Sequence, residues 1–368
     1  MRRAEMSGVE VAIERPAALD CREALADPAL PWLWAALDPR EIERTIAPIV
    51  ADVAPERGRA RMLEAELVRY KPGRRCVVYY EFEHELEIGR RIAVYAKIRA
   101  RGADLRTQRL LLALEEAGLD HARGGRIGVP HPIGAVPELN LSLQLACPGE
   151  IVTRTLERAD GVRVMERVAE ALSALHRAGV EARRSHSIAD ELAILRTRLG
   201  EAARLAPHRR ERIERVLDAC CALAGRLEAH PTCGLHRDFY PDQVLVDDTR
   251  VTLLDLDLFA AGDPAVDVGN FSGHLIEQSM RTHGEPDRFD ALMEAFEEGY
   301  LALAPQVPSN SVRTYRILTL ARHIHLSMVL PGRAELTGPL LEYCEAELDL
   351  AARGAAAQKF SRIRSEAR

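Results

Sequence analysis

The chain has 368 residues, of which 47% are hydrophobic and 29% charged, as is usual for a folded globular protein. This composition excludes disordered and fibrous classes, and a formal net charge of −6 gives no field that would attract nucleic acid or an anionic membrane. The seven cysteines show no metal-binding spacing, and no stretch approaches the roughly 18 apolar residues of a membrane span. We therefore expect free thiols, a cytoplasmic location, and neither nucleic acid nor membrane as a partner.

The first fifty residues are predicted to be helical. Asp38 and Pro39 give an N-cap followed by a proline at the first helical position, and Glu41 is placed to complete a capping box. Apolar residues continue at helical spacing as far as Val53. We assign residues 1–57 to a helical N-terminal extension.

A small sheet is predicted to come next. Glu64–Arg69 and Cys76–Phe82 are rich in residues that favour strands, and Arg91–Ile98 supplies a third strand. A helix from about Ala103 to Ala117 follows and ends at a glycine. We assign residues 58–147 to a domain built from this sheet and helix.

The turn between the first two strands is basic. Gly73 would let the backbone approach a ligand closely, and Lys71 and Arg74 could meet a phosphate there. An exposed charged hairpin explains the same residues equally well, so both interpretations stay open.

Lys97 is unusual because the chain contains only three lysines, Lys71, Lys97 and Lys359, and uses arginine elsewhere. It stands inside an apolar strand, where a compact ammonium can reach phosphates that the wide fork of arginine does not fit. The alternative is an accidental lysine on an edge strand.

The composition becomes helical after Pro148 and Gly149, which form the predicted hinge. We assign residues 148–368 to this second part. An acidic group that includes Glu294 and Glu297 could attract a cationic amine, although a solvated helix face is the more common origin of such a pattern.

Most of the candidate chemistry lies between Gly234 and Asp267. Two apolar runs, 243–246 and 251–256, predict a short strand, a turn and a second strand. Asp238 precedes the first strand, and Asp255 and Asp257 close the second, so the fold-back is predicted to bring Asp238 near Asp255. Phosphoryl transfer uses such carboxylates, one to orient or deprotonate a hydroxyl and another to hold Mg²⁺.

In these residues the chain resembles the aminoglycoside phosphotransferase and choline kinase superfamily, and the resemblance covers roughly residues 64–330. The motifs that show this resemblance most specifically are LHRDFYPDQVLV and LLDLDLFAAGDPAVD. The segments ALSALHRAGV and QLACPG support it. The resemblance implies an α+β, protein-kinase-like fold with two lobes and the helical N-terminal extension. The N-lobe (58–147) would contain a small antiparallel sheet. The C-lobe (148–368) would be mainly helical and would carry the catalytic loop and the acceptor site.

The resemblance also implies roles for particular residues. Asp238 would be the catalytic carboxylate and Asp255 the main Mg²⁺ ligand. Lys97 would hold the α- and β-phosphates of ATP. The hinge backbone near Leu145 and Cys147 would bind the adenine edge.

Other roles are implied for residues around the catalytic loop. Asp257 and Gln243 would complete the metal site, while His236 and Asp267 would give structural support, Asp267 by bracing the loop. Gln243 departs from the family, which usually has an asparagine there; the amide oxygen is kept and a methylene is added.

Two further departures concern the N-lobe. Gln108 stands where the helix after the lysine strand normally offers a glutamate, with Asp104, Glu115 and Glu116 as alternatives. The segment RYKPGRRC replaces a glycine-rich phosphate loop, so Lys71 and Arg74 would supply charge in place of backbone amides.

The leading hypothesis is an ATP- and Mg²⁺-dependent kinase that phosphorylates a hydroxyl of a small molecule, whose identity the sequence leaves open. The alternative is a nucleotide-binding regulatory pseudokinase with little or no turnover, suggested by Gln243 and the unmatched glutamate. A metal-dependent hydrolase would leave Lys97 unexplained. Rossmann and Walker motifs are absent from the sequence.

Overall fold

The computed structural model describes residues 17–53, 58–85, 90–228 and 230–366, with side chains described as far as residue 353. The chain divides into an N-terminal unit, residues 1–150 and 245–257, and a C-terminal unit, residues 151–244 and 258–368. The first unit contains an antiparallel sheet and the second is mainly helical, which confirms the predicted α+β class. The predicted limits 1–57, 58–147 and 148–368 stay a prediction, and residues 1–16 and 54–57 lie outside the described part.

The N-terminal unit begins with four short helices, α1 (Arg22–Leu25), α2 (Leu33–Leu37), α3 (Pro39–Thr45) and α4 (Ala47–Ala51). Asp38 caps α3 as predicted, because its carboxylate accepts hydrogen bonds from the N–H groups of Arg40 and Glu41. The Glu41 side chain binds Arg44 at 2.6 Å instead of completing a capping box. The predicted helix is interrupted near Ile46, since Pro48 removes a backbone donor and crowds the preceding turn.

The five-stranded sheet of this unit is antiparallel throughout and has the order β1-β2-β3-β6-β5. Its strands are β1 (Ala60–Lys71), β2 (Arg75–His84), β3 (Arg91–Arg99), β5 (Pro132–Val136) and β6 (Leu141–Leu145). The predicted hairpin and third strand are therefore confirmed. Strands β4 (Ile127–Gly128) and β11 (Val251–Leu253) pair in parallel, and α5 (Leu105–Glu116) follows β3.

One face of this sheet is covered by the N-terminal helices. Leu33, Ile42 and Ile46 are fully buried against strand residues such as Phe82. The buried Tyr80 hydroxyl donates a 2.6 Å hydrogen bond to the carbonyl of Ala36. Burial of the apolar side chains, at about 25 cal/mol per Å² of apolar surface, fixes the helices to the sheet.

The C-terminal unit contains seven helices of fourteen residues or more within its described residues. They are α6 (Gly161–Arg177), α7 (Ile188–Leu205), α8 (Arg210–Ala224), α9 (Ala265–His283), α10 (Asp290–Leu303), α11 (Ser309–Val329) and α12 (Thr337–Glu366). A three-stranded sheet has the order β8 (Ser185–His186), β12 (Ala260–Gly262) and β9 (Cys233–Leu235). Strands β7 (Glu150–Ile151) and β10 (Val244–Val246) span the division between the units. Among the described helices, none is long and apolar enough to cross a membrane.

Helices α9 and α11 form the centre of this unit. Gly269 and Gly273 lie on the contacting face of α9, where an added Cβ would come within 2.6 Å of Arg316 N and 2.8 Å of the Thr319 side chain. These glycines therefore allow the two backbones to approach closely. The approach fixes the position of the buried face of α9, which carries Asp267.

Candidate active site

Lys97 and the carboxylates after β11 form a charged cluster in the N-terminal unit. The Lys97 Nζ lies 2.8 Å from Asp255 Oδ1 and 3.4 Å from Asp257 Oδ1. Lys97 is in the middle of β3, opposite Val77 and Ser142, so two neighbouring strands fix its backbone. Its side chain is only 15% exposed, which excludes an accidental solvent-exposed lysine.

Asp255 has the properties of a carboxylate held ready for a cation. Its backbone has a φ of 53°, a left-handed conformation that aspartate tolerates better than most residues. Burial alone would raise the pKa of Asp255, but the charge and hydrogen bond of Lys97, together with Arg75, hold its pKa well below the ordinary value. The side chain is therefore ionised at any physiological pH.

Asp257 is held by two arginines that flank Lys97. Arg75 Nη1 donates to Asp257 Oδ2 at 2.7 Å, and Arg99 Nη2 donates to the same oxygen. The other oxygen faces Lys97 and the Thr107 hydroxyl, at 3.4 and 3.5 Å. Metal ligation by Asp257 stays a prediction, and it would require one of these donors to move. Arg99 was missed by the sequence reasoning, because one more arginine in an arginine-rich chain carries no signal.

The acidic partner of Lys97 does not come from α5. Gln108 donates to the carbonyl of Gly134, and Glu115 lies 2.9 Å from the imidazole of His131. Asp104 caps α5 and binds Arg99 at 3.0 Å. The lysine therefore pairs with the carboxylates that follow β11, and none of the alternatives on the helix is used.

The turn between β1 and β2 is held by a residue of the N-terminal helical segment. Asp27 Oδ2 accepts hydrogen bonds from the Gly73 N–H at 2.7 Å and from the Tyr70 hydroxyl at 3.0 Å. Gly73 has a φ of 67°, which a residue with a side chain adopts at a cost. Arg74 is exposed, and burial followed by the charges of neighbouring arginines, Arg75 first, lowers the pKa of Lys71.

The predicted adenine-binding segment continues the last long strand of the sheet. Leu145 ends β6, where its N–H donates to the carbonyl of His131 at 2.8 Å. The next N–H, that of Ala146, donates to Ala93 at 2.9 Å. Burial raises the pKa of the Cys147 thiol to about 12, so this residue is a neutral lining group and not a thiolate.

The catalytic loop of the C-terminal unit is braced by Asp267, at the start of α9. The Asp267 carboxylate accepts the N–H groups of His236 and Arg237, each at 2.7 Å, and it is fully buried. Arg237 has a φ of 71°, an uncommon conformation that these bonds help to hold. The half-buried Asp238 follows directly, and among the described residues it has no hydrogen-bond or ion-pair partner.

A second residue that sequence reasoning missed completes the brace. His176, in the last turn of α6, has Nε2 at 3.0 Å from Asp267 Oδ2 and Nδ1 at 2.7 Å from the Tyr300 hydroxyl. Burial raises the pKa of Asp267, but the hydrogen bond and charge of His176 outweigh it and hold the pKa below the ordinary value. The motif ALSALHRAGV contains this histidine, but its partner lies 91 positions away.

Gln243 lies in a 3₁₀ turn, Pro241–Gln243, directly before β10. It is 5% exposed, and its amide Nε2 donates to the Tyr240 hydroxyl at 3.1 Å. That bond leaves the amide oxygen as the group that could face a cation. The predicted approach of Asp238 to Asp255 and of Gln243 to the metal stays a prediction.

A family model described as the phosphotransferase enzyme family matches residues 105–308, more than half of the chain. The chain belongs to this family. The match includes Asp238, Gln243 and Asp255, and it confirms the resemblance recognised in the sequence. Lys97 and the β1–β2 turn precede the matched range, so the sheet that carries them is identified by the structure.

Solved structures of this fold include three relatives of similar size. Spectinomycin phosphotransferase APH(9)-Ia, in complex with ADP and spectinomycin, is 12% identical with a TM-score of 0.51, covering 79% of this chain and 93% of its own. A thermostable mutant of aminoglycoside phosphotransferase APH(4)-Ia with ADP and hygromycin B is 16% identical with a TM-score of 0.54. The match covers 78% of this chain and 94% of that one. Amicoumacin kinase hAmiN with AMP-PNP and Ca²⁺ is 12% identical with a TM-score of 0.53. The match covers 76% of this chain and 88% of that one. A search of curated proteins gave no significant match. At these identities the likenesses show the fold.

Proposed function

We propose that the protein is an ATP-dependent kinase that transfers the γ-phosphoryl group to a hydroxyl of a small molecule. The observation that carries this proposal is the partly buried pairing of Lys97 with Asp255 at 2.8 Å. It joins a phosphate-binding ammonium to a metal-binding carboxylate, the two parts that phosphoryl transfer requires. Membership of the phosphotransferase family supports the reaction, and the ADP and AMP-PNP bound by the similar structures support the nucleotide.

Lys97 would bind the α- and β-phosphates of ATP by exchanging one anionic partner for another. Its ammonium already lies among carboxylates that are 10–16% exposed, so it is largely desolvated before the nucleotide arrives. Arg75 and Arg99 would keep Asp257 neutralised during this exchange. The Lys97 ammonium could then move from Asp255 to the phosphates, while Asp257 stayed paired with the arginines.

Mg²⁺ is the metal that this chemistry implies, and the donor set fits it. Mg²⁺ prefers carboxylate and amide oxygens and is usually held by one or two carboxylates together with substrate phosphates. Asp255 would supply the carboxylate and Gln243 the amide oxygen. When bound, the ion would neutralise the phosphate charge that develops during transfer.

Asp238 would orient the acceptor hydroxyl and take its proton. As the hydroxyl oxygen bonds to the γ-phosphorus, the bond from that phosphorus to the β–γ bridging oxygen breaks and ADP leaves. The proton passes to the Asp238 carboxylate and then to solvent. The absence of an ion pair to Asp238 among the described residues suits this role, because a paired carboxylate is a weaker base.

The deciding experiment measures Mg²⁺-dependent ADP release from ATP with pooled hydroxyl acceptors, for the native protein and Asp238→Asn. We expect acceptor-stimulated release that falls by roughly 10³-fold or more in the variant, while calorimetric ATP affinity is unchanged. Asp242→Asn, an exposed change four residues along the same loop, is the matched control and should retain activity. Undiminished release in Asp238→Asn would contradict the proposal.

A regulatory pseudokinase is the second candidate, favoured by Gln243 and by the absence of an α5 carboxylate at Lys97 among the described residues. It would bind Mg²⁺-ATP without turning it over. ATP binding that weakens in Asp255→Ala, with no phosphorylated product from any acceptor pool, would favour this candidate. Detection of one such product would exclude it.

A further inference from the structure

Helix α9 presents three polar residues to the catalytic loop, Asp267, Asn270 and His274. Their spacing of three and four places them on one face of the helix. Asp267 binds the N–H groups that precede Asp238, and the Asn270 amide donates to the carbonyl of Phe239, the next residue, at 2.9 Å. His274, the third residue of this row, also faces the loop, but its side chain is an aromatic ring.

His274 packs on the loop instead of bonding to its backbone. Its ring stacks on Tyr240, two residues after Asp238, with ring centroids 4.6 Å apart and an interplanar angle of 19°. His323 of α11 makes an edge-on contact with the His274 ring, also with ring centroids 4.6 Å apart. A column of three polar rings, Tyr240, His274 and His323, therefore begins next to the proposed catalytic carboxylate.

The two imidazoles of this column retain hydrogen-bonding capacity. His323 is 3% exposed, and its buried Nε2 has no partner among the described residues. A buried imidazole nitrogen without a partner is costly, which indicates a site that a ligand or water completes. His274, in contact with this buried group, is half-buried.

The charges around the column are positive. Burial, and then the charges of Arg322, Arg333 and Arg281, lower the pKa of His323 to about 3. Burial, then His323 and the same arginines, lower the pKa of His274 well below its usual value, so both imidazoles are neutral. A neutral imidazole offers one donor and one acceptor nitrogen, which suits a hydroxyl group.

Apart from Asp238, which is the proposed base, the carboxylates described near the column are engaged by arginines. Glu277, 3% exposed, accepts hydrogen bonds from Arg281 at 3.2 Å and from Arg333 at 3.0 Å. Glu191 is shared by Arg322, at 3.3 Å, and His186, at 2.6 Å. A cationic amine at the column would meet these positive charges with no unpaired carboxylate from this group to balance its own.

The acidic segment considered in the sequence does not change this balance. Glu285, Asp287, Asp290, Glu294 and Glu298 are exposed to solvent. Glu297, the remaining member, pairs with Arg316 at 2.8 Å. These acidic residues belong to a solvated helix face and to the segment that precedes the helix. They supply no buried anionic pocket for an amine.

We propose that Tyr240, His274 and His323 form the acceptor subsite, and that it takes an uncharged, hydroxyl-rich compound in place of a cationic amine. The rings would hold one another in place, and the imidazole nitrogens would bind hydroxyl groups of the acceptor. This inference rests on the proposed kinase function and names the class of its acceptor.

The test compares two acceptor sets at fixed Mg²⁺-ATP: hexoses and alditols on one side, and ethanolamine, choline and kanamycin on the other. ADP release and phosphorylated products are measured for the native protein, His274→Ala and His274→Phe. The phenylalanine keeps the stacking surface on Tyr240 without a ring nitrogen, so it separates packing from hydrogen bonding. His283→Ala, a half-exposed histidine at the end of α9 that pairs with Glu157, is the matched control.

We expect turnover with members of the neutral set, and a rise of about tenfold or more in the acceptor KM of both His274 variants, the effect of one lost hydrogen bond to a buried site. The KM for ATP should stay within about twofold, since nucleotide binding does not use the subsite, and His283→Ala should keep the native acceptor KM. A preference for the amine set, or an unchanged acceptor KM in His274→Phe, would overturn the subsite.

The proposed function and this subsite fail in different ways. Absence of ATP binding in the native protein defeats the kinase proposal itself. ATP binding without turnover of either acceptor set overturns the subsite and points to the regulatory candidate. Turnover of amines that depends on Asp238 but not on His274 retains the kinase and removes only the subsite.

Discussion

Lys97 is the residue at which the identity of a single side chain should matter most. It is the one lysine of this charged cluster, and Arg75 and Arg99 stand beside it on the same carboxylates. If positive charge alone were required, a third arginine would serve as well. The cluster therefore tests whether a compact ammonium is needed for phosphate binding.

Replacement of Lys97 by arginine should lower kcat/KM for ATP by about 10²-fold, because the wider guanidinium cannot occupy a space already shared with two arginines. Calorimetry should show weaker ATP binding in Lys97→Met as well. Arg101→Met, which removes an exposed cation two residues after β3, is the control and should bind ATP normally. Native ATP affinity in both Lys97 variants would show that the nucleotide binds elsewhere.

Asp267 concentrates more buried hydrogen bonds than its neighbours on α9. Its carboxylate receives two backbone N–H groups and one imidazole at 2.7–3.0 Å. In Asp267→Asn one oxygen becomes a donor, so at least one buried N–H loses its acceptor. We expect a loss of about 2–4 kcal/mol in the free energy of unfolding, measured with denaturant.

Asp263→Asn provides the comparison for this loss. Asp263 accepts one backbone N–H, from Ala265 at 2.9 Å ahead of the same helix, and a hydrogen bond from the Tyr315 hydroxyl, which the asparagine oxygen can still accept. Its replacement should destabilise the protein by about 1 kcal/mol or less, as an N-cap-type change does. Equal losses for the two variants would show that the brace on the catalytic loop adds nothing beyond an ordinary cap.

At the scale of elements, the β1–β2 hairpin depends on the segment that precedes it. Asp27 connects the N-terminal helices to the turn through the Gly73 N–H and the Tyr70 hydroxyl. A turn of this kind would otherwise be exposed on all sides. The contact keeps Gly73 in its left-handed conformation and holds Lys71 and Arg74 at the tip.

Replacing Asp27 by alanine should release this turn. We expect a loss of stability in the N-terminal unit and faster hydrogen exchange at the Gly73 amide. The pKa of Tyr70, raised to about 12 by burial and then by Asp27, should fall in a spectrophotometric titration. Asp20→Ala removes an exposed carboxylate that binds only Arg22 and is the control. Unchanged exchange at Gly73 would contradict the brace.

Elements whose signals are local were predictable from the sequence. The cap at Asp38, the hairpin 60–84 and the strand of Lys97 follow from residue patterns within a few positions of each other. The same holds for the catalytic-loop motif and the carboxylates after β11. The family match at residues 105–308 covers the catalytic-loop motif and the carboxylates after β11.

Contacts between distant elements could not be predicted in the same way. Asp257 pairs with Arg99 across 158 positions, and His176 meets Asp267 across 91. A sequence shows which side chains are able to bind but not which arginine or histidine the fold brings close. The column of Tyr240, His274 and His323 belongs to this class, because its three rings come from separate elements.

At the scale of the whole molecule, buried histidines should determine how stability responds to mild acid. Burial and arginine charges lower the pKa of His323 to about 3, whereas an unfolded histidine titrates near 6.5. Between these values the unfolded chain binds more protons than the folded one. Stability should therefore fall as pH drops below about 6.5, by up to about 2 kcal/mol at pH 5 from this residue alone.

His131 acts in the opposite direction. Its hydrogen bond with Glu115, opposed by burial, raises its pKa, so its contribution is present below pH 6.5 and is lost as pH rises through the folded value. Because His131 is half exposed, its contribution is screened and smaller than that of the buried His323. The buried His323 should therefore outweigh His131 in the response to mild acid.

Thermal unfolding of the native protein and of His323→Gln between pH 5 and pH 8 tests this expectation. Glutamine cannot take up a proton in either state, so the variant should lose less Tm on acidification than the native protein, whatever its Tm at pH 8. His208→Gln removes an exposed imidazole and should reproduce the native slope. Parallel Tm curves for the native protein and His323→Gln would mean that His323 is protonated as readily in the folded chain as in the unfolded one, and the neutral column at the catalytic loop would no longer be supported.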